Sequence, residues 1–445
     1  GVGVAELFSI YNTDVFVLKL DNSGNFLWAK AMGGLGSDTG HDISTDGAGN
    51  VYTFGVFSES VDFDPGSGTF VLTTSPTSQV DVFITKLDAS GNFVWAKSFE
   101  SPTDDLARSI VINKQTNAIF MTGVLRSTTD FLSGPGVYNL TTTGYDDIFI
   151  VRMDFSGNLT WAKQIGGAYS DLSQDISIDN NGNIYMAGWF SGTVDFDPDS
   201  GVNSITGPGD FDAFVTKSDS MFNLIWVKAI GGTGYDNALS VDTDTLGNVF
   251  FTGEYSVTAD FDPNGGSSLH TALGYRDIYI TKLDSAGNFV YAKVMGGTNL
   301  ESYNFVKTDQ GGNIFMTGAF LSQECFIGTD TLINASSTGL YYDMFITKIK
   351  ADSIPSSIGI DEISSESIHV NIFPNPFAYQ ALIVFEEDQA NTLVTITDIM
   401  GKTIREMKVT GKTAIITKGD LQAGVYFVSG TDRMQRSMNK KIIIQ

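Results

Sequence analysis

Asp81-Val-Phe-Ile-Thr-Lys-Leu-Asp88, then Ala89-Ser90, then Gly91-Asn-Phe-Val-Trp-Ala-Lys97, is the stretch that decides the fold. Two apolar-rich runs flank a short polar segment ending in Gly-Asn, which reads as two antiparallel strands and a tight turn. The pattern recurs along the chain. Asp14, Asp81, Asp147, Asp212, Asp277 and Asp343 each open an Asp-x-Phe/Tyr-Val/Ile-x-Lys/Arg segment, at intervals of 67, 66, 65, 65 and 66 residues. Trp28, Trp95, Trp161, Trp226 and Tyr291 keep the same beat. So does a second turn at Gly49-Asn50, Thr116-Asn117, Gly182-Asn183, Gly247-Asn248 and Gly312-Asn313. A constant long period means stacked copies of one supersecondary unit.

The third copy shows what the unit contains. Asp175–Asp179 alternates, Asn180–Asn183 turns, and Ile184–Phe190 is a second run. After a longer connection, Asp212–Lys217 and Leu224–Lys228 are the third and fourth. Four short strands with tight turns make an antiparallel sheet, and runs such as Val82-Phe-Ile84 and Ile148-Phe-Ile150 require cover on both faces. Sheets sandwiched between copies of themselves spell a β-propeller. A solenoid is the competing architecture, but its units run to about 20–45 residues.

The landmarks Asp46-Gly-Ala-Gly-Asn-Val-Tyr-Thr-Phe-Gly55, Asp81–Asp88 and Gly91–Lys97 resemble the bacterial β-propeller repeats known as SBBP repeats, over residues 14 to about 350. The resemblance implies that the strand before each second turn is innermost and the Trp-Ala-Lys strand outermost. About five to six blades are visible. The chain opens at Gly1 in mid-repeat with no basic-then-apolar leader, so it reads as a processed form or a fragment. Phe26–Lys30 could complete the last copy and close a five-bladed ring, leaving Asp14–Leu20 as a duplicate strand. A larger ring with upstream repeats is the favoured alternative.

The period breaks at residues 351–366, which read as a linker between a propeller domain, 1–350, and a second domain, 367–445. There, Ile368–Phe373, Gln380–Glu386, Thr392–Asp398, Lys402–Lys408, Thr413–Thr417, Gly424–Ser429 and Lys440–Ile444 suggest about seven strands of a small Ig-like β-sandwich. Pro374, Asn375 and Pro376 open it, and Asp398, Gly401 and Lys402 sit midway. Leu421, Gly424, Tyr426 and Lys441 follow. These landmarks resemble the type A C-terminal sorting domain of the type IX secretion system of Bacteroidota. The resemblance implies export, the secretion machinery as a partner, and a secreted or outer cell-surface address. Read from its strands alone, the domain could equally be an accessory module, for example one that binds a glycan.

Composition narrows the function. The net charge of −25 is concentrated in residues 1–365, at −26, while residues 366–445 carry +1. Such a body repels nucleic acid and anionic lipid. No apolar run is long enough for a membrane helix. Cys325 is the sole cysteine, so neither an internal disulfide nor a thiolate metal cluster can form. His41, His270 and His369 lie outside any metal-binding spacing, and no nucleophile elbow is present.

Two acidic patterns recur. Asp62-x-Asp64, Asp195-x-Asp197-x-Asp199 and Asp260-x-Asp262-x-Asn264 resemble the start of a calcium loop, making Ca2+ the one cofactor to consider. A proline-stiffened Asx turn explains them equally. Asp38, Asp105, Asp171, Asp236 and Glu301 each precede an inner strand by the same offset. They could form a rim for a cation or polar ligand, or bond backbone amides of neighbouring blades. Acids repeated in every copy argue for architecture, because an active site breaks symmetry. The leading expectation is a non-catalytic binding or adhesion module for a protein or glycan. The alternatives are a carboxylate-dependent glycoside hydrolase or lyase and a structural surface-layer component.

Overall fold

The computed structural model describes residues 6–309, 312–327, 330–334, 341–349, 370–373, 375, 377–398, 402–419, 421–431 and 437–444. The expected linker 351–366 lies outside them, as do Pro374, Pro376 and Gly401. The chain divides into two compact units, Gly1–Ser353 and Ile354–Gln445, and the regular elements are all β-strands.

In the first unit, Leu172–Ile178, Ile184–Phe190, Asp212–Ser218 and Leu224–Gly232 form one antiparallel blade in that order. The middle strands are buried along nearly their whole length. Their successive apolar residues have a sheet to face on either side. Equivalent sheets begin at Thr39, Leu106, Asp236 and Glu301, the last containing Glu301–Thr308, Ile314–Phe320 and Asp343–Ile349. The inner strands Thr39–Thr45, Leu106–Asn113, Leu172–Ile178, Asp236–Thr243 and Glu301–Thr308 are successive neighbours and line one axial cavity. Phe26–Gly34 does not complete the last sheet. It pairs with Val15–Leu20, Val17 opposite Lys30, and its end pairs with Ser60–Asp62.

That second pairing recurs. Each Asp-Phe-Asp-Pro segment ends the first strand of a short hairpin that attaches to the outer strand of the preceding blade, as Gly166 opposite Asp195 and Gly167 opposite Val194. Paired hydroxyls lock the hairpins, Thr193 with Thr206 at 2.7 Å and Thr258 with Thr271 at 2.7 Å.

Both families of turn share one device. In Asp88-Ala-Ser-Gly-Asn92, the amides of Ser90 and Asn92 donate to Asp88 Oδ1 and the Asn92 side chain donates to Oδ2. Asp46, Asp154, Asp179, Asp244 and Asp284 do the same. Glycine is needed at the left-handed position, φ 80° at Gly91. It also leaves room for the preceding blade. A Cβ on Gly157 would lie 3.2 Å from the Trp95 ring. Trp95 Nε1 donates to Phe155 O at 3.2 Å, as Trp28 Nε1 does to Ala89 O. Among the turns that lead into the outer strand, the one without glycine has Phe222 at φ 63°, its buried ring packed against Trp161 at 5.9 Å. The recurrent lysines join these joints: Lys163 lies over Trp161 and pairs with Asp199 at 2.8 Å.

The second unit has five described strands rather than about seven. Gln380–Asp398 and Thr403–Thr417 are each continuous where two short strands were expected. Irregular pairing around residues 384–392 lets one strand run through both expected segments. Val370–Phe373 pairs with the first half of Gln380–Asp398 and Gly424–Thr431 with the second. Asp398 closes a tight turn with Lys402, Asn375 Oδ1 accepts the Ile443 amide, and Leu421 is buried. Tyr426 donates to Gln422 O, Gly424 starts its strand, and Lys441 lies in Ser437–Ile444.

Trp95→Ala removes a ring that clamps two blades together. It is expected to lower the unfolding free energy by about 3 kcal/mol, read from the urea midpoint; an unchanged midpoint would show that the joint does not depend on it.

Candidate functional site

The repeated acids sit at blade joints, out of contact with solvent. Asp38, Asp105, Asp171, Asp236 and Glu301 are all 0–2% exposed. Asp171 accepts the Gly167 amide at 2.6 Å and the Ser191 amide at 3.1 Å. Asp236 accepts Gly232 N and Ser256 N, Asp38 accepts Gly34 N and Ser58 N, and Glu301 accepts Gly297 N and Ser322 N. Asp105 accepts Arg126 N and the Thr129 hydroxyl. Asp38, Asp171, Asp236 and Glu301 therefore each tie the end of one repeat's outer strand to the next repeat. This geometry is the amide-bonding alternative, and it leaves no open acidic rim at these positions.

A second acid stands beside each one, drawn from the Asp that opens the third strand; Asp81, Asp147, Asp212 and Asp277 are buried and Asp14 is half-buried. Asp212 Oδ1 has no hydrogen-bond partner, and it faces the same point as Asp236 Oδ2. A Cβ on Gly231 would lie 2.3 Å from the first and 3.0 Å from the second. Asp147 Oδ1 and Asp277 Oδ1 are likewise buried without a partner, beside Asp171 and Glu301. Burial, opposed by the accepted amides and reinforced by the neighbouring acid, raises Asp171 and Asp236 to about 7. Burial first, then the neighbouring acid, raises Asp277 to about 6.

The Asp-Phe-Asp-Pro carboxylates close their own loops. Asp62 Oδ1 accepts Asp64 N and Phe70 N, and Asp64 Oδ1 accepts Gly66 N. Asp195, Asp197, Asp260 and Asp262 repeat this, the last accepting Asn264 N. Asn264 also bonds Phe289 N, and Asp199 pairs with Lys163. These are Asx turns, and among the described residues no three acidic, histidine or cysteine side chains gather as a metal cluster.

Function-like asymmetry lies elsewhere, in two places that the search for recurring motifs missed. The first is the axial cavity of about 410 Å³. Each inner strand carries an irregularity that skips His41, Arg108, Gln174, Leu239 or the pair Tyr303-Asn304. Bulges re-aim side chains, and His41, Arg108 and Gln174 line the cavity together with Lys307. Below them a belt stitches the strands. Ser109 Oγ donates to Asp42 and stands 2.9 Å from Asp175, while Ser240 Oγ donates to Asp175 at 2.8 Å. Asp242 accepts the Ser177 hydroxyl and the Thr308 amide.

The second is an aromatic ledge where inner strands begin. Trp189 and Phe211 lie 4.5 Å apart edge to face, and Phe211 and Tyr235 5.5 Å. The Arg276 guanidinium stacks 3.9 Å from the Tyr235 ring and pairs with Glu254 at 3.1 Å. Ser302 donates to Glu254, and next to it Tyr303, 65% exposed at φ 55°, meets Tyr342 at 5.9 Å. The position of Trp189 holds Val56, Val124, Glu254 and Ala319 in the other copies. Departure from the repeat, in register, is the signal that would have found it.

Four-stranded antiparallel sheets set around a shared axial cavity define a β-propeller, and residues 160–189 match the β-propeller repeat family. Residues 371–445 match the secretion system C-terminal sorting domain. The chain is thus an exported β-propeller repeat protein with a type IX sorting domain, secreted or held at the outer surface. An uncharacterized WD repeat-containing protein of Acanthamoeba polyphaga mimivirus is 26% identical over 206 residues, 41% of this chain and 14% of that protein. An endo-acting ulvan lyase of Formosa agariphila is 32% identical over 130 residues, 29% of this chain and 24% of the enzyme. The chain thus spans less than a quarter of the length of either curated relative. Among solved structures, PorZ of Porphyromonas gingivalis aligns over 96% of this chain and 84% of its own at 11% identity and TM-score 0.19. The extracellular domain of a B. thetaiotaomicron one-component system aligns over 92% and 55% at 10% identity and TM-score 0.24. No helix among the described residues is long and apolar enough to cross a membrane.

The joint acids bind protons more tightly folded than unfolded, where Asp titrates near 4. Their stabilisation is complete below about pH 4 and is lost as pH rises through about 7. The melting temperature is expected to fall by about 3 °C or more between pH 5.5 and 8.5. Asp212→Asn places a permanent donor opposite Asp236 and should raise the melting temperature at pH 8 while flattening part of the slope. A melting temperature that rises with pH over that range would refute the paired-acid account.

Proposed function

We propose that this exported propeller is a non-catalytic binding module, and that a glycan lies across the ledge formed by Trp189, Phe211, Tyr235, Tyr303 and Tyr342. The observation that carries the reading is that aromatic, guanidinium and carboxylate groups form one continuous chain across three blades, opened by Trp189 at a position that holds Val56, Val124 and Ala319 in three other copies. Aromatic rings offer sugar C–H faces a flat apolar surface, and the planar groups of Arg276 and Glu254 supply directional hydrogen bonds. Tyr303 supports the reading in a second way: a non-glycine residue in left-handed conformation with an exposed ring is a strained feature of the kind that clusters at binding sites.

The alternative, a carboxylate hydrolase or lyase, draws on the similarity to the ulvan lyase. It would need a free acid in the cavity, and Asp42, Asp175 and Asp242 are each bonded to hydroxyls and amides of neighbouring strands. These bonds favour the belt role over acid–base work.

Trp189→Ala and Tyr303→Ala are expected to weaken binding to the best ligand on a glycan array by about tenfold each, roughly the loss of one aromatic contact. The melting temperature of Tyr303→Ala should hardly change, since its ring is largely exposed. An array on which the wild-type chain binds nothing, or on which both variants bind as the wild type does, would refute the ledge.

A further inference from the structure

We propose that the mouth of the axial cavity is an anion site, in which the Arg108 guanidinium receives the carboxylate or sulfate ester of an acidic sugar. The anion site stands on the cavity itself. Only the choice of a sugar as its carrier rests on the reading of the adjoining ledge as a glycan platform.

Arg108 is the bulge residue of its inner strand and lines the cavity. Its Nε is buried and has no hydrogen-bond partner, and among the described residues no ion pair reaches its guanidinium. Arg108 is half-buried, and its buried Nε without an acceptor carries a desolvation cost that a bound anion would offset. Its charged neighbours make the point sharper. Arg126 lies close enough to oppose its charge, but Arg126 is already paired with Asp146 at 3.0 Å and donates to Asp104 O. His41, the bulge residue of the adjacent strand, feels Arg108 as a repelling cation and Asp42 as an attracting anion.

The cavity carboxylates do not fill the vacancy in Arg108's bonding. Asp42 is held by Ser109 Oγ and the Ile110 amide, and Asp175 by Ser240 Oγ and the amides of Ile176 and Val241. Asp242 is held by Ser177 and Thr308 and has Lys307 at 4.0 Å. Lys307 serves this acidic end, where Asp175, Asp242 and Asp42 all act on it. The cavity thus holds acids that are already bonded to hydroxyls and amides and one cation whose Nε has no acceptor. Gln174, the third bulge residue, adds an amide donor beside Arg108.

A planar guanidinium suits carboxylate and sulfate oxygens because it can donate two parallel hydrogen bonds. Tyr303 belongs to the Tyr303-Asn304 irregularity of the fifth inner strand, where Asn304 holds the place that Arg108 has on the second. Ledge and cavity mouth thus share one end of the inner strands, so one acidic saccharide could span both.

The test uses the full chain at constant ionic strength, with D-glucuronate, D-glucose 6-sulfate and D-glucose titrated separately and followed by NMR and isothermal titration. Glucuronate, glucose 6-sulfate or both should bind at least tenfold more tightly than glucose, and the stronger of the two tells which acidic group the site prefers. Arg108→Gln should abolish that preference and Arg108→Lys should restore only part of it, with melting curves showing that both variants fold. If neither anion outcompetes glucose, or if a folded Arg108→Gln keeps the preference, the site is overturned. Loss of the anion preference with glycan-array binding still dependent on Trp189 would remove the cavity site and leave the ledge standing; the converse result would do the opposite.

Discussion

The fold rests on carboxylate oxygens acting as acceptors for backbone amides. A propeller blade has many tight turns and joints at which the main chain cannot satisfy itself. Here aspartate does so repeatedly. It closes the Gly-Asn turns from within, as at Asp88, and it anchors one repeat to the next from a buried position, as at Asp171. The same side chain meets opposite electrostatic conditions in the two settings. Accepted amides and the Asn92 side chain lower Asp88 below its ordinary value, while burial raises Asp171. Much of the −25 net charge therefore serves the architecture.

This explains which parts of the molecule were legible in sequence. The period, the turns, the inner and outer strands and the export domain could be read because the residues that build them must recur. Gly91 and Gly157 announce both a left-handed turn and a tryptophan packed on it. The repeated acids were legible as a pattern but ambiguous in role, since a carboxylate facing a ligand and one facing an amide leave the same mark. Burial separates the two, and burial is not written in spacing. The fate of Phe26–Lys30 was hidden for another reason: both candidate partners, Val15–Leu20 and the last third strand, carry the same motif.

The ledge and the cavity mouth were invisible to a search for recurrence because they are departures from it. Trp189, Arg276 and Tyr303 each stand where sister copies have other residues, and the groups that meet come from different repeats. Arg108 and His41 share one space because two bulges turn them toward it, and a bulge is not marked by spacing. A symmetric scaffold held by its aspartates leaves these positions free to vary at little cost to folding.

The interleaving of repeats has a consequence for how such a chain can change length. Because the Asp-Phe-Asp hairpin of one copy rests on the outer strand of the copy before it, the duplicated genetic unit and the folded blade are out of phase. A recombination event that adds or deletes a whole period, wherever its breakpoints fall, returns every outer strand to a hairpin of the right shape. One that follows blade boundaries would be no safer, which removes any selective pressure to place breakpoints between domains of this kind.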